Sequence, residues 1–282
     1  MRRTSPRRLP VHIPADATAV SVDGPRPFVT EVCYVRADGR AVRWTARGHR
    51  RADRSGRHWR GLTWWTGLLF TLGSACFVLG PVPAYVGAVG GTADGLTFFV
   101  GSLLFTTAGY LSYLQVVRDD GHRWWAWMPH HLGFWAVSIQ LVGTLYFNVT
   151  TFVSLFDVPT QLQNRVVWRP DAIGSICFLV AYAIAFAEAG HRWWSWRPGH
   201  RDWHITALNM WGSVFFGLSA IGAHVDSAGG LTSATLANGG TFLGAVCFLA
   251  GSLLMLGEGR VAGQPVADSD RAPGPRPPCR RR

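Results

Sequence analysis

The residues of this chain with chemistry to offer are gathered around two copies of one short stretch. GHRWWAWMPHH runs from Gly121 to His131 and GHRWWSWRPGH from Gly190 to His200. A shift of 69 residues superposes Gly, His, Arg, all three Trp, Pro and the final His without a gap. Each copy brings a histidine, His122 or His191, followed by an arginine, and Arg192 is the one in the second copy. Two carboxylates belong with them, because Glu188 and Glu258 each end a long apolar segment. Imidazole and carboxylate together can hold a metal or axially ligate haem, and either role would make the chain a membrane redox protein. A carboxylate beside an Arg or His can equally be a structural ion pair that neutralises charge at the edge of a hydrocarbon layer. The spacing favours the second chemistry. No apolar segment carries a His near its middle, and no Cys-x-x-Cys or Cys/His ligand pattern occurs among the five cysteines. The expected tie is Glu188 with Arg192 or His191, with no bound metal, no cofactor and no catalytic residue.

Six apolar runs position these groups, near residues 62–86, 95–116, 132–155, 171–188, 204–224 and 238–257. About 20 apolar residues at 1.5 Å each suffice to cross a hydrocarbon core roughly 30 Å thick, so the runs predict a polytopic membrane protein. Pro81 and Pro83 should kink the first helix or end it early, and Asp94, Asp171 and Asn238 stand where N-caps of the even-numbered spans are expected. The first run begins far behind a polar start, which excludes reading it as the core of a cleavable signal peptide.

All 27 basic residues are arginines, and they are unevenly placed. With the N-terminus inside, 25 fall on the inner side and only Arg165 and Arg169 on the outer, which predicts cytoplasmic termini in the cell membrane. Residues 1–60 form a basic cytoplasmic arm suited to anionic lipid headgroups rather than to nucleic acid. Within it, Phe28–Arg36 and Arg40–Ala46 read as a small hairpin turning at Asp38 and Gly39. The segment from Gly48 to Arg60 begins GHRR and resembles a degenerate first copy of the GHRWW loop. Residues 259–282, rich in Pro and Arg, read as a disordered tail.

A three-fold pattern underlies the two-fold one. Odd spans carry GSACF from Gly73, GTLYF from Gly143 and GSVFF from Gly212; even spans carry GSLLF from Gly101, GSICF from Gly174 and GAVCF from Gly244. Ten residues beyond each even-span Phe stand Gln115, Glu188 and Glu258. Lipid offers no hydrophobic drive for helix association, so a Gly followed by a small residue and then Phe suits close packing, and these six glycines are the candidate helix contacts. Gln140 and Asn209, each three residues before its Gly, could bond between helices or line a path. The expected fold is all-α, a bundle of six transmembrane helices built from three helical hairpins spanning about 61–120, 121–189 and 190–258.

A hairpin whose helices each carry a G-S-x-x-F motif, as in FTLGSACF and FFVGSLLF, resembles the YrhK-like family of small bacterial membrane domains. The resemblance implies a membrane location and a helical-hairpin fold, with no activity and no catalytic residue. Together these readings describe an integral membrane protein, a non-catalytic scaffold or envelope component, with the lipid bilayer as its one certain partner. The alternatives are a small-solute or ion transporter, since helical repeats commonly enclose a path at the midplane, and the redox protein introduced above. A continuous polar cavity would favour transport, and a dry bundle would favour the scaffold.

Overall fold

The structure, a computed structural model, describes residues 13–39, 41–51, 61–119, 122 and 124–261. The first residues of the basic arm, most of the segment before the first span, and the tail from 262 lie outside them. So do Gly121, Arg123 and the His58-Trp59-Arg60 element of the degenerate loop.

Three antiparallel strands open the chain, in the order β1 (Thr18–Asp23), β2 (Glu31–Val35) and β3 (Ala41–Thr45). The β2–β3 hairpin turns at Asp38 and Gly39, whose φ of 79° is the left-handed geometry that a residue without Cβ adopts freely. β1 is a strand that the sequence pattern did not announce; it makes β2 the central strand and buries Val32, Cys33 and Tyr34. A short helix, α1 (Ala46–Arg51), follows directly.

Six long helices come next: α2 (Leu62–Leu79), α4 (Gly91–Asp119), α5 (Leu132–Val153), α7 (Arg169–Gly190), α8 (Arg201–Gly222) and α9 (Ala234–Val261). Each is long and apolar enough to cross a membrane, and the protein is an all-α integral membrane bundle. α2 ends at Leu79 because Pro81 and Pro83 follow, and Pro83 starts the separate α3 (Pro83–Val89). α6 (Thr160–Gln163) and a π turn (Asn164–Trp168) lead into α7. The expected caps are corrected. Asp94 and Asp171 lie inside the first turns of α4 and α7, Asn238 is interior to α9, and Ser233 caps α9 by accepting the Leu236 N–H at 3.2 Å.

The long helices pack as a closed ring, α2–α4–α5–α7–α8–α9 and back to α2. One contact recurs in three helix pairs. A Cβ added to Gly73 would stand 3.0 Å from the carbonyl oxygen of Gly101; on Gly143 it would stand 3.1 Å from that of Gly174, and on Gly212 3.0 Å from that of Gly244. Backbones this close exclude any side chain at the crossing, which is how helices associate where lipid supplies no hydrophobic drive. The Phe four residues after each Gly turns to the axis. Phe105, Phe178 and Phe248 form a triangle with ring centroids 5.7–6.3 Å apart, and Phe77, Phe147 and Phe216 pack on it. These six rings are the waist of the molecule. Outside it, Leu103, Leu145, Ile176 and Leu253 are exposed, as a lipid-facing surface requires.

Several buried hydroxyls near the waist are satisfied within their own helices, whereas the fully buried Ser74 Oγ has no hydrogen-bond partner among the described residues. Thr144 donates to Leu141 O, Thr151 to Phe147 O, Ser213 to Asn209 O and Ser252 to Leu249 O. Others stitch the ring across helices: Ser102 to Thr151 at 2.9 Å joins α4 to α5, and Thr71 to Ser252 at 3.0 Å joins α2 to α9.

Candidate functional site: a polar vestibule under an arginine clasp

The described parts of the two GHRWW loops share a contact, and each loop is followed by a helix of the ring. Pro129 O accepts a hydrogen bond from Trp135 Nε1 at 3.1 Å, and Pro198 O bonds His204 Nε2 at 2.6 Å, at positions 69 residues apart. His131 and His200 then hold extended backbone and start α5 and α8. The loop tryptophans, Trp124, Trp125, Trp127, Trp193, Trp194 and Trp196, are all exposed, as a belt at headgroup depth would be.

Above the waist, on the side bearing the sheet, the ring encloses a cavity of about 100 Å³. Phe70, Phe105 and Phe248 form its floor, and its walls carry Ser112 and Gln115 of α4, Gln140 of α5, Tyr182 of α7, Thr206 and Asn209 of α8, and Ser252 of α9. Gln140 donates through Nε2 to Tyr182 Oη at 2.8 Å, and Gln115 donates to Thr63 Oγ1 at 3.1 Å. Asn209 lies against Gly251, where an added Cβ would fall 2.6 Å from its Oδ1, so the bare glycine makes room for the amide. The rise of an α-helix puts Glu188 about 15 Å above Phe178.

At that height α1 closes over the cavity. Arg47 and Arg50, three residues apart on one face, both reach the end of α7. Arg50 Nη2 donates to the two oxygens of Glu188 at 2.8 and 2.7 Å, while Arg47 Nη1 stands 3.7 Å from the same carboxylate and its Nε 3.7 Å from Asp202. Glu188 is 2% exposed. A carboxylate this deep is tolerable only because a guanidinium neutralises it with short, charge-assisted bonds.

The sequence assigned Glu188 a partner in the GHRWW loop; the structure gives it the arginines of α1 instead. His191 adopts the left-handed conformation (φ 59°), ends α7 and turns the chain, leaving Arg192 exposed. Its buried ring bonds Thr30 Oγ1 through Nδ1 at 2.9 Å, and its Nε2 lies 3.5 Å from Glu31, which also pairs with Arg43 and stands 3.9 Å from Arg197. Burial holds the His191 pKa below 6.5, with the Glu31 carboxylate pulling the other way, so the ring is neutral at pH 7. His122 is exposed in the first loop, and Glu258 lies in the last turns of α9 with its side chain outside the described residues. Of the groups expected to cluster, Glu188 caps the vestibule and His191 latches the sheet. Among the described residues no three His, Cys, Asp or Glu side chains converge as a metal site requires.

The sequence reading did not single out Arg47 and Arg50; their i, i+3 spacing at the GHRR stretch is the signal that points to them. No protein-family model, curated protein or solved structure matches the chain.

Proposed function

We propose that this protein is a non-catalytic membrane scaffold that holds its N-terminal sheet at a fixed place on one face of a closed helical ring. The observation that carries the reading is the waist. All six spanning helices contribute a Phe to it, and the three Gly–Gly crossings around it leave no space between paired backbones. Opening a path there would separate three helix pairs together. The sheet is anchored by two independent ties, Arg50 to Glu188 and Thr30 to His191, which suits a module that is displayed rather than a lid that swings.

The recurrent Gly and Phe contact supports descent from three copies of one hairpin, and with it the YrhK-like resemblance. The arginine asymmetry supports the cytoplasmic membrane, with the sheet, both termini and the GHRWW loops inside and the basic arm on anionic headgroups. Transport is the second reading, favoured by the polar vestibule, and it requires the waist to part. Flux measurements on the full chain in proteoliposomes separate the two. Glycerol and urea should cross protein-containing vesicles no faster than protein-free ones. A protein-dependent flux, enhanced by Phe178→Ala, would replace the scaffold with a gated transporter.

A further inference from the structure

The vestibule is better equipped than a scaffold needs. Hydrophobic residues would fill the space between six helices more cheaply, since polar groups taken from water into a membrane interior are unfavourable unless they are hydrogen-bonded. Yet amides and hydroxyls from five of the six spanning helices converge on one space. Two of them retain bonding capacity. The side-chain amide of Asn209 has no hydrogen-bond partner among the described residues, and Gln140 spends its Nε2 on Tyr182 while its carbonyl oxygen bonds nothing else there. Gly251 keeps the space beside Asn209 clear.

We propose that this vestibule binds a small, uncharged, hydrogen-bonding solute of polyol or amide type, held between Gln140, Tyr182 and Asn209 above the phenylalanine floor. Charge decides the class. The ionised groups at the cavity roof are engaged, Arg50 with Glu188 by two short bonds and Arg47 between Glu188 and Asp202, which lies outside the cavity, so a charged ligand would have to compete with those pairs. A neutral solute breaks none. Amides and hydroxyls both donate and accept, so the wall answers a molecule carrying several hydroxyl or amide groups. Size favours a compact solute: a cavity of about 100 Å³ suits glycerol or urea. The Phe floor offers an apolar face for the carbon skeleton or the flat amide plane.

The test uses the full chain in lipid nanodiscs, with saturation-transfer NMR of glycerol, urea and acetate. One of the neutral probes should give a saturable signal in the millimolar range, and acetate should give none. Asn209→Ala and Gln140→Ala should each weaken that signal at least five-fold, with the thermal midpoint of each variant recorded to show that it is folded. The wild-type measurement is decisive by itself. No saturable signal from either neutral probe, or acetate bound more tightly than both, overturns the proposal, and so does a neutral signal unchanged in two folded variants. Binding and passage are read separately: solute flux would remove the scaffold reading and leave the site standing, and absent binding would remove the site and leave the scaffold.

Discussion

Gly212 and Gly217 lie five residues apart in α8, and the structure assigns opposite signs to the same substitution at the two positions. A Cβ on Gly212 would meet two ring carbons of Phe248 at 2.9 Å and the Gly244 carbonyl oxygen at 3.0 Å. Carbon atoms rest at about 3.5–4.0 Å, so α8 and α9 would have to part by about half an ångström or more, or Phe248 would have to leave the waist. Overpacking of this kind costs about 1–3 kcal/mol, and the gain in helix propensity from Gly to Ala returns ~1 kcal/mol, leaving a net loss of up to about 2 kcal/mol. A Cβ on Gly217 would meet nothing within 4 Å. Only the propensity gain applies there, so Gly217→Ala should stabilise by up to ~1 kcal/mol. Reversible unfolding in mixed micelles, followed by Trp fluorescence, measures both variants against the parent. Equal shifts in the two variants, or a Gly212→Ala protein more stable than the parent, would show that the crossing is not close-packed. Gly143→Leu, which would drive a larger side chain against Phe178 and the Gly174 carbonyl, should lower the yield of folded protein further.

Arg50→Met should destabilise by roughly 3 kcal/mol, because it strands the buried Glu188 carboxylate, while the double variant Arg50→Met/Glu188→Met should recover most of the loss; a double-mutant cycle without coupling would mean that the clasp is idle. His191 is held neutral in the folded protein, whereas the unfolded chain takes up a proton near pH 6.5. Stability should therefore be level above that pH and fall as the pH drops below it, by up to ~1.4 kcal/mol per unit. His191→Gln should flatten that loss, and an unchanged pH profile in the variant would assign it to another group. For topology, reporter fusions after Gly91 and Gly229 should read outside, and fusions after Gly121 and Gly190 inside; a reversed pair overturns the orientation.

Length and hydropathy alone determine the six spans, because each helix must satisfy its own backbone inside a bilayer and the period of apolar residues cannot hide. The proline stop at the end of α2 is equally local. The pattern of Gly and Phe located the residues of the waist, since close approach demands a particular residue type at a particular place. Partner choice was not legible in this way. Glu188 has an arginine four positions along the chain and two others 138 and 141 positions away, and sequence gives no ground for preferring the distant pair. The fold prefers it because His191 turns the chain with a positive φ, leaving Arg192 exposed, while α1 lies against α4 and α7. The vestibule has the same origin. Gln115, Gln140, Tyr182 and Asn209 come from four helices, and only closure of the ring, α9 against α2, turns four separate polar residues into the walls of one cavity.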